Sequence, residues 1–229
     1  MAMILGCDEA ARGPVVGSLV IAGVLVEDSK LENLKKLGVK DSKLLKHPRR
    51  VALAEQIKKL ADDYKIIVVS PKEIDEAVES KDKHMNLNWL EAHKIAQIVN
   101  ELSPDKVYLD CPSPNIKKFT SYLRELIDDE KAEIIAEHKA DVTYPIVSAA
   151  SILAKVKREE EVAALEQMTG QSIGTGYAAN PICQKFLKEN WDKYPDIFRK
   201  SWVTWKDHKV MKVQKKLDEF DREHGEKVE

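Results

Sequence analysis

The apolar positions of this chain fall into two rhythms. Short unbroken runs, MILGC leading into Asp8, VVGSLVIAGVLV over residues 15–26 and DYKIIVVS over 63–70, have the length and β-branched content of buried strands. They predict a meander feeding one sheet. Helical spacing appears in SKLENLKKLG, capped by Ser29 and stopped by Gly38, and in HPRRVALAEQIKKLADD, entered through Pro48. Further on the two rhythms alternate: a helix from Asn86 to Leu102, strand KVYLD, helix NIKKFTSYLRELIDD, strand AEIIAEH, and a long helix from Pro145 to Met168. Strands separated by helices of this length pair in parallel through crossovers. The character changes at TGQSIGTGYAANP, a stretch rich in Gly, Thr and Ser, and helical, aromatic-rich segments follow it. A boundary near Thr169 therefore divides a core of residues 1–168 from a C-terminal part of residues 169–229.

Composition narrows the class. The 229 residues hold 37 Lys and Arg against 39 Asp and Glu, a formal net charge of -2, which excludes a uniformly basic coat but leaves room for a local basic face. Cys7, Cys111 and Cys183 are scattered, with no C-x-x-C, so neither a zinc site nor a disulfide framework is expected. The longest apolar run is broken by Gly17, Ser18 and Gly23 and is too short to span a bilayer. The expectation is a cytoplasmic protein with reduced thiols, no membrane contact and a monomeric state.

Candidate chemistry lies at strand ends. MILGCD ends in Asp8 with Glu9 beside it, KVYLD ends in Asp110, and Asp141 follows AEIIAEH in EHKADVTYP. Parallel neighbours share one carboxyl edge, where open α/β sheets place their sites. A single aspartate there also serves as a helix cap or turn residue. Three strand or loop ends plus an adjacent glutamate favour a cation site. The ligands are hard oxygens, which suit Mg2+ or Mn2+, and a pair of such ions about 4 Å apart suits in-line displacement at a phosphodiester. His138 is a competing ligand, although a lone His beside a Lys also serves structure or phosphate contact.

DEAARGPVVG resembles the opening of the ribonuclease HII family, the type 2 ribonucleases H. The resemblance continues through LGVKDSKLL, NLNWLEA, VYLDCP, EHKADVTYPIVSAASILAKVKRE and GTGYAANP, and an archaeal-type member fits best. It implies an α/β ribonuclease H-like fold, a mixed five-stranded sheet flanked by helices with a small C-terminal helical part. It also implies endonucleolytic hydrolysis of the RNA strand of RNA–DNA hybrids, cutting 5′ to ribonucleotides embedded in duplex DNA, with two ions in the active complex. The family's four acids fall on Asp8, Glu9, Asp110 and Asp141, which serve as both metal ligands and catalytic residues. A non-catalytic hybrid-binding module, or another metal-dependent nuclease on the same fold, is the alternative.

By the same resemblance Arg12 and Gly13 offer a cation and backbone N–H groups to substrate phosphates. The family's turn reads Gly-Arg-Gly, whereas this chain has Ala11-Arg12-Gly13. The added methyl bears on φ > 0 and on close approach of a nucleic-acid backbone, hence on junction recognition more than metal binding. Lys40, Ser42 and Lys43 form a cationic turn that binds phosphates in the family, and Lys139, Ser151 and Lys155 are similar candidates. Arg158 reads as a surface residue or ion-pair partner. Tyr177 stacks on the sugar at the RNA–DNA junction in the family, and by default packs with its hydroxyl in water. Asn180-Pro181 starts a helix as N-cap and first residue. The interleaved Arg199, Lys200, Trp202, Trp205, Lys206 and Lys209 suit either nucleic-acid contact or packing. Val203 stands where the family's Trp-Lys-Thr has its cation, with Lys206 as the nearest replacement. Finally, Gln214, Leu217 and Phe220 resemble the Q-x-x-[LIM]-x-x-[FY] box that docks on sliding clamps, or else belong to a terminal helix packed on the core.

Overall fold

The computed structural model describes residues 1–39, 46–82, 85–211 and 214. Strands β1 (Met3–Ala10), β2 (Leu19–Glu27) and β3 (Asp63–Val69) form the antiparallel meander. On the other side of β1, β4 (Lys106–Asp110) and then β5 (Glu133–Glu137) add in parallel, giving the order β3-β2-β1-β4-β5. Helices α1 (Leu31–Lys36) and α2 (His47–Leu60) connect β2 to β3. Helices α3 (Pro71–Val78) and α4 (Leu87–Leu102) connect β3 to β4, and α5 (Ile116–Leu126) connects β4 to β5. The short α6 (Ala140–Thr143), the long α7 (Pro145–Thr169), α8 (Pro181–Asn190) and a helix over 203–211 complete the described chain. This is the mixed five-stranded sheet flanked by helices that the sequence implies. Among the described residues no helix is long and apolar enough to cross a membrane.

The strand period of two sorts each side chain onto a layer. Leu5 and Cys7 of β1 and Val107 and Leu109 of β4 face α4 and α5, where Trp89, Ile98 and Phe119 close one core. Ile4 and Ala10 face the opposite layer, where Leu34, Leu53, Ile57 and the α7 residues Ile146, Val147 and Leu153 close the other. Helix α7 lies directly on β1. A Cβ added at Gly6 would stand 2.4 Å from the Ile146 carbonyl carbon, so only glycine admits this approach. A third cluster, with Val15, Val16, Val162, Phe186 and Phe198, packs the segment after β1 against the C-terminal part.

Side-chain caps fix several helix starts. The Asn86 side chain accepts the Trp89 N–H at 3.2 Å, Asn115 that of Lys118 at 2.9 Å, and Asn180 those of Ile182 and Cys183 at 3.0 and 3.1 Å. Each such cap contributes about 1 kcal/mol.

Local differences from the sequence reading have physical causes. The apolar run from Val15 becomes strand only at Leu19, because Gly17 turns at φ 85° and Val15 and Val16 are buried in the third cluster instead. Ser29 does not cap α1; Asp28–Lys30 form a 3-10 turn and the Ser29 hydroxyl donates to the Glu27 carboxylate at 3.0 Å. Helix α3 was not expected, although Ser70 and Glu73 form a reciprocal capping box at its start. Helix α6 was not expected either; it is a single turn wedged between β5 and α7.

Candidate active site

Register and pleat gather the acids. Gly6 of β1 stands level with Tyr108 of β4 and Cys7 with Leu109, so Asp8 and Asp110 stand side by side at the parallel carboxyl edge. Both project to the α7 layer, because Asp8 alternates with Cys7 and Asp110 with Leu109. Helix α6 brings in Asp141 from beyond β5. Carboxylate oxygens of Asp8, Asp110 and Asp141 all lie within 4.8 Å of one another. The Ala140 N–H donates to Asp110 at 3.3 Å, and the Ser148 hydroxyl donates to the Asp141 and Tyr144 carbonyls, fixing the α6–α7 junction. Glu9 is not part of this group. The pleat sends its side chain to the α4 layer, toward Glu91 and Arg12.

The electrostatics fit an acid cluster made for a cation. Burial pushes the Asp8 carboxyl up to about 7; the Ser151 hydroxyl and the Glu9 N–H, which donates at 2.8 Å, draw it down, while Asp110 and Asp141 push it up. Glu9 is raised well above the usual range by burial, then by Asp8, Glu91 and Asp110, with Arg12 opposing. Carboxylates held this close without a neutralising ion favour protons. With oxygen donors alone, the set fits a hard divalent cation. His138 stands apart from the cluster, its Nδ1 3.2 Å from the Cys111 carbonyl oxygen, which is the structural role.

The turn after β1 is strained and tightly held. Ala11 sits at φ 67°, in the left-handed region that an alanine disfavours. The Arg12 Nε donates to Glu91 at 2.9 Å and an Nη to Asn88, tying the turn to α4. A Cβ on Gly13 would lie 3.3 Å from Tyr177 Cε1, so the Tyr177 ring closes against the bare Gly13 backbone while remaining 45% exposed. The Val15 and Val16 N–H groups both donate to the Gly176 carbonyl, which joins this turn to the Gly-rich loop carrying Tyr177.

A cleft of about 580 Å³ runs from Glu9, Ala11 and Arg12 past Lys155 and Arg158 to Tyr177. Ser151, Lys155 and Arg158 follow one face of α7: Ser151 lies buried beside Asp8, and the two cations lie farther along the cleft. Lys139 is exposed at the start of α6, with φ 60°. Lys40, Ser42 and Lys43 lie outside the described residues, as do Leu217 and Phe220; Gln214 is helical and exposed.

Some side chains at the site escaped the sequence reading. Arg158 is neither on the surface nor primarily an ion-pair partner; it is 8% exposed and donates to the Thr175 carbonyl at 2.8 Å. Its spacing of four and then three residues from Ser151 through Lys155 was the available signal. Arg199 is fully buried, with Nε, Nη1 and Nη2 donating to the carbonyls of Gly17, Arg12 and Ala11 at 2.9, 2.8 and 2.7 Å. Glu91 is buried on α4. Trp205 packs in the third cluster, whereas the Trp202 indole donates to the Gly13 carbonyl at 3.1 Å. Val203 is 70% exposed, and Lys206 is paired with Glu79 at 2.7 Å.

The sequence matches the family model described as Ribonuclease HII over residues 5–205. A ribonuclease HII from Pyrococcus furiosus is 43% identical over 224 residues, covering 94% of this chain and 96% of that relative. Among solved structures, ribonuclease H2 from Pyrococcus horikoshii superposes with a TM-score of 0.82 at 39% identity, covering 91% of this chain and 98% of that one. The ribonuclease HII of a PCNA:RNase HII complex from Archaeoglobus fulgidus superposes at 0.78 with 39% identity, covering 87% and 95%.

Proposed function

The chain belongs to the ribonuclease HII family, and from that membership we propose that it hydrolyses the RNA strand of RNA–DNA hybrids. In our reading it also cuts 5′ to a ribonucleotide embedded in duplex DNA, leaving 3′-hydroxyl and 5′-phosphate ends. The observation that carries this reading is the convergence of Asp8, Asp110 and Asp141 at the shared edge of β1 and β4.

Asp8, Asp110 and Asp141, with Glu9 beside them, would hold two Mg2+ or Mn2+ ions. Such ions, when bound, lower the pKa of an attacking water and offset charge on the leaving oxygen. The chain's own residues position the substrate. Arg12, Lys139 and Lys155, together with Lys40, Ser42 and Lys43 of the VKDSK motif, meet phosphates. Ser151, buried beside Asp8, favours its charged form against the pull of burial. Tyr177, backed by Gly13, offers a face to the sugar at the RNA–DNA junction, and the 2′-hydroxyl is what separates RNA from DNA there. No side chain acts as a covalent nucleophile. Residues 1–168 would then be the catalytic part, and residues 169–229 the substrate-binding part with a clamp-binding tail. The three buried cysteines, without disulfides, fit a reducing compartment such as the cytoplasm, where we place the protein as a monomer.

The test is a product map on matched duplexes carrying no ribonucleotide, one, or a continuous run, with Mg2+, Mn2+ or EDTA. Metal-dependent scission 5′ to the lone ribonucleotide is expected. Binding without scission would replace the reading with a hybrid-binding module, and scission of branched all-DNA substrates with another nuclease.

A further inference from the structure

Arg199 stands 188 positions along the chain from Ala11, yet its guanidinium holds the carbonyls of Ala11, Arg12 and Gly17 at once. Its own N–H donates to the Val15 carbonyl at 2.9 Å, and its guanidinium carbon lies 5.0 Å from the centre of the Trp202 ring. Trp202 in turn holds the Gly13 carbonyl. Burying a guanidinium is costly unless its donors are met, and here they are spent on one turn of backbone.

The consequence follows from peptide planarity. In a trans peptide the C=O and the next residue's N–H point in opposite directions. Capture of the Ala11 and Arg12 carbonyls therefore aims the N–H groups of Arg12 and Gly13 away from Arg199. Among the described residues neither N–H meets a protein acceptor. Two successive N–H groups beside a left-handed residue form a concavity that takes an oxygen of a ligand. The alanine at φ 67° resists the conformation that creates it.

We propose that Arg199 is the positioning residue for ribonucleotide recognition: it holds the Ala11-Arg12-Gly13 backbone so that its N–H groups face the substrate strand. This rests on the hybrid-cleaving reading above. It separates two jobs, because the Arg199 guanidinium donates to backbone carbonyls of the turn and not to the carboxylates of the Asp8 cluster. A lone ribonucleotide offers one sugar hydroxyl to be found, so its cleavage depends on the turn. A continuous hybrid offers many registers and a distinctive helix shape.

The test pairs Arg199→Lys with Ala11→Gly in a double-mutant cycle. Lysine keeps the charge but cannot reach three carbonyls with a planar fork. Expected is a fall of about tenfold in kcat/KM on the single-ribonucleotide duplex, mostly in KM, against less than about threefold on the continuous hybrid. Ala11→Gly should restore most of the loss, since glycine adopts the turn unaided. Amide exchange at Arg12 and Gly13 should accelerate in Arg199→Lys, with β1 unchanged. Equal losses on both substrates, no rescue by Ala11→Gly, or unchanged exchange would each overturn the proposal. If Arg199→Lys does not fold, Trp202→Phe decides: it removes the donor to Gly13 while keeping an aromatic ring beside Arg199, and should show a smaller loss of the same selectivity, and equal losses would overturn the idea. A wild-type protein that cleaves neither duplex refutes the hybrid-cleaving reading, and the exchange result then decides the positioning role alone.

Discussion

Arg12 and Glu91 form an ion pair of 2.9 Å that joins the turn after β1 to α4, with the carboxylate side chain 1% exposed and the guanidinium 39%. Burial raises the Glu91 carboxyl to about 7; Arg12, by charge and by hydrogen bond, is the main group opposing the rise, with a smaller contribution from the Arg199 charge. Removing Arg12 leaves a buried carboxylate without its partner. Arg12→Ala should therefore destabilise the protein by about 1–3 kcal/mol at pH 8. The cost should shrink near pH 5, where Glu91 takes up a proton and becomes neutral. Thermal melts at both pH values check this, and a pH-independent loss would refute it. On hybrid substrate the same variant should raise KM more than it lowers kcat.

Asp8 gives a second pH signature. Its carboxyl is raised from the ordinary 3.8 to about 7, so the folded state binds a proton that the unfolded chain releases. Its contribution to stability is full below about pH 4 and is lost as pH rises through about 7. Asp8→Asn, which mimics the protonated form, should melt like the wild type near pH 4 and above it at pH 8 without metal. Added Mg2+ or Mn2+ should stabilise the wild type more than the variant at pH 8. Cleavage should fall about a thousandfold or more, because the amide cannot help clamp the cations. Near-normal turnover by Asp8→Asn in Mg2+ would remove the two-metal assignment.

Residues that act through their neighbours along the chain were legible in the sequence. Strand and helix rhythms located the five strands, and the strand-end acids Asp8 and Asp110 announced a shared edge before any pairing was known. Asn180 and Pro181 announced the start of α8. Charged residues whose role depends on burial were not legible. Arg199 reads locally as one cation in an aromatic stretch, and only the folded chain shows its donors filled by a turn near the other terminus. Arg158 and Glu91 escaped for the same reason. Adjacency in sequence did not show the layer of each acid: strand alternation turns Asp8 toward Asp110 and Asp141, and Glu9 to the other face of β1, next to the cluster and within reach of its charge.

Tyr177 presents a half-exposed ring against Gly13 at the end of the cleft. Because so much of the ring is open, Tyr177→Ala should leave stability nearly unchanged. Loss of a stacking face should cost about 1–3 kcal/mol in kcat/KM on the single-ribonucleotide duplex. Selection of the cleavage position should relax, while Mn2+ affinity measured by calorimetry should not move. Unchanged cleavage-site preference with a lowered melting temperature would assign the ring to packing instead.

The last prediction concerns Gln214, Leu217 and Phe220. The helix over 203–211 exposes Val203, Val210 and Met211, and Gln214 is helical and exposed beyond it. A box of this spacing docks by inserting its aliphatic and aromatic side chains into an apolar pocket while the glutamine hydrogen-bonds beside it. The Archaeoglobus fulgidus neighbour was solved as a PCNA:RNase HII complex, which makes a sliding clamp the partner to test first. A clamp would tether the nuclease to DNA and raise its effective concentration at embedded ribonucleotides. A peptide spanning Lys212 to Glu223 should therefore bind the cognate clamp in a calorimetric titration. In the full chain Phe220→Ala should abolish clamp binding, and stimulation of cleavage by the clamp, while cleavage of free oligonucleotides and the melting temperature stay as in the wild type. A wild-type chain that does not bind the clamp, or a Phe220→Ala variant that loses its cooperative melt, would assign these residues to packing on the core.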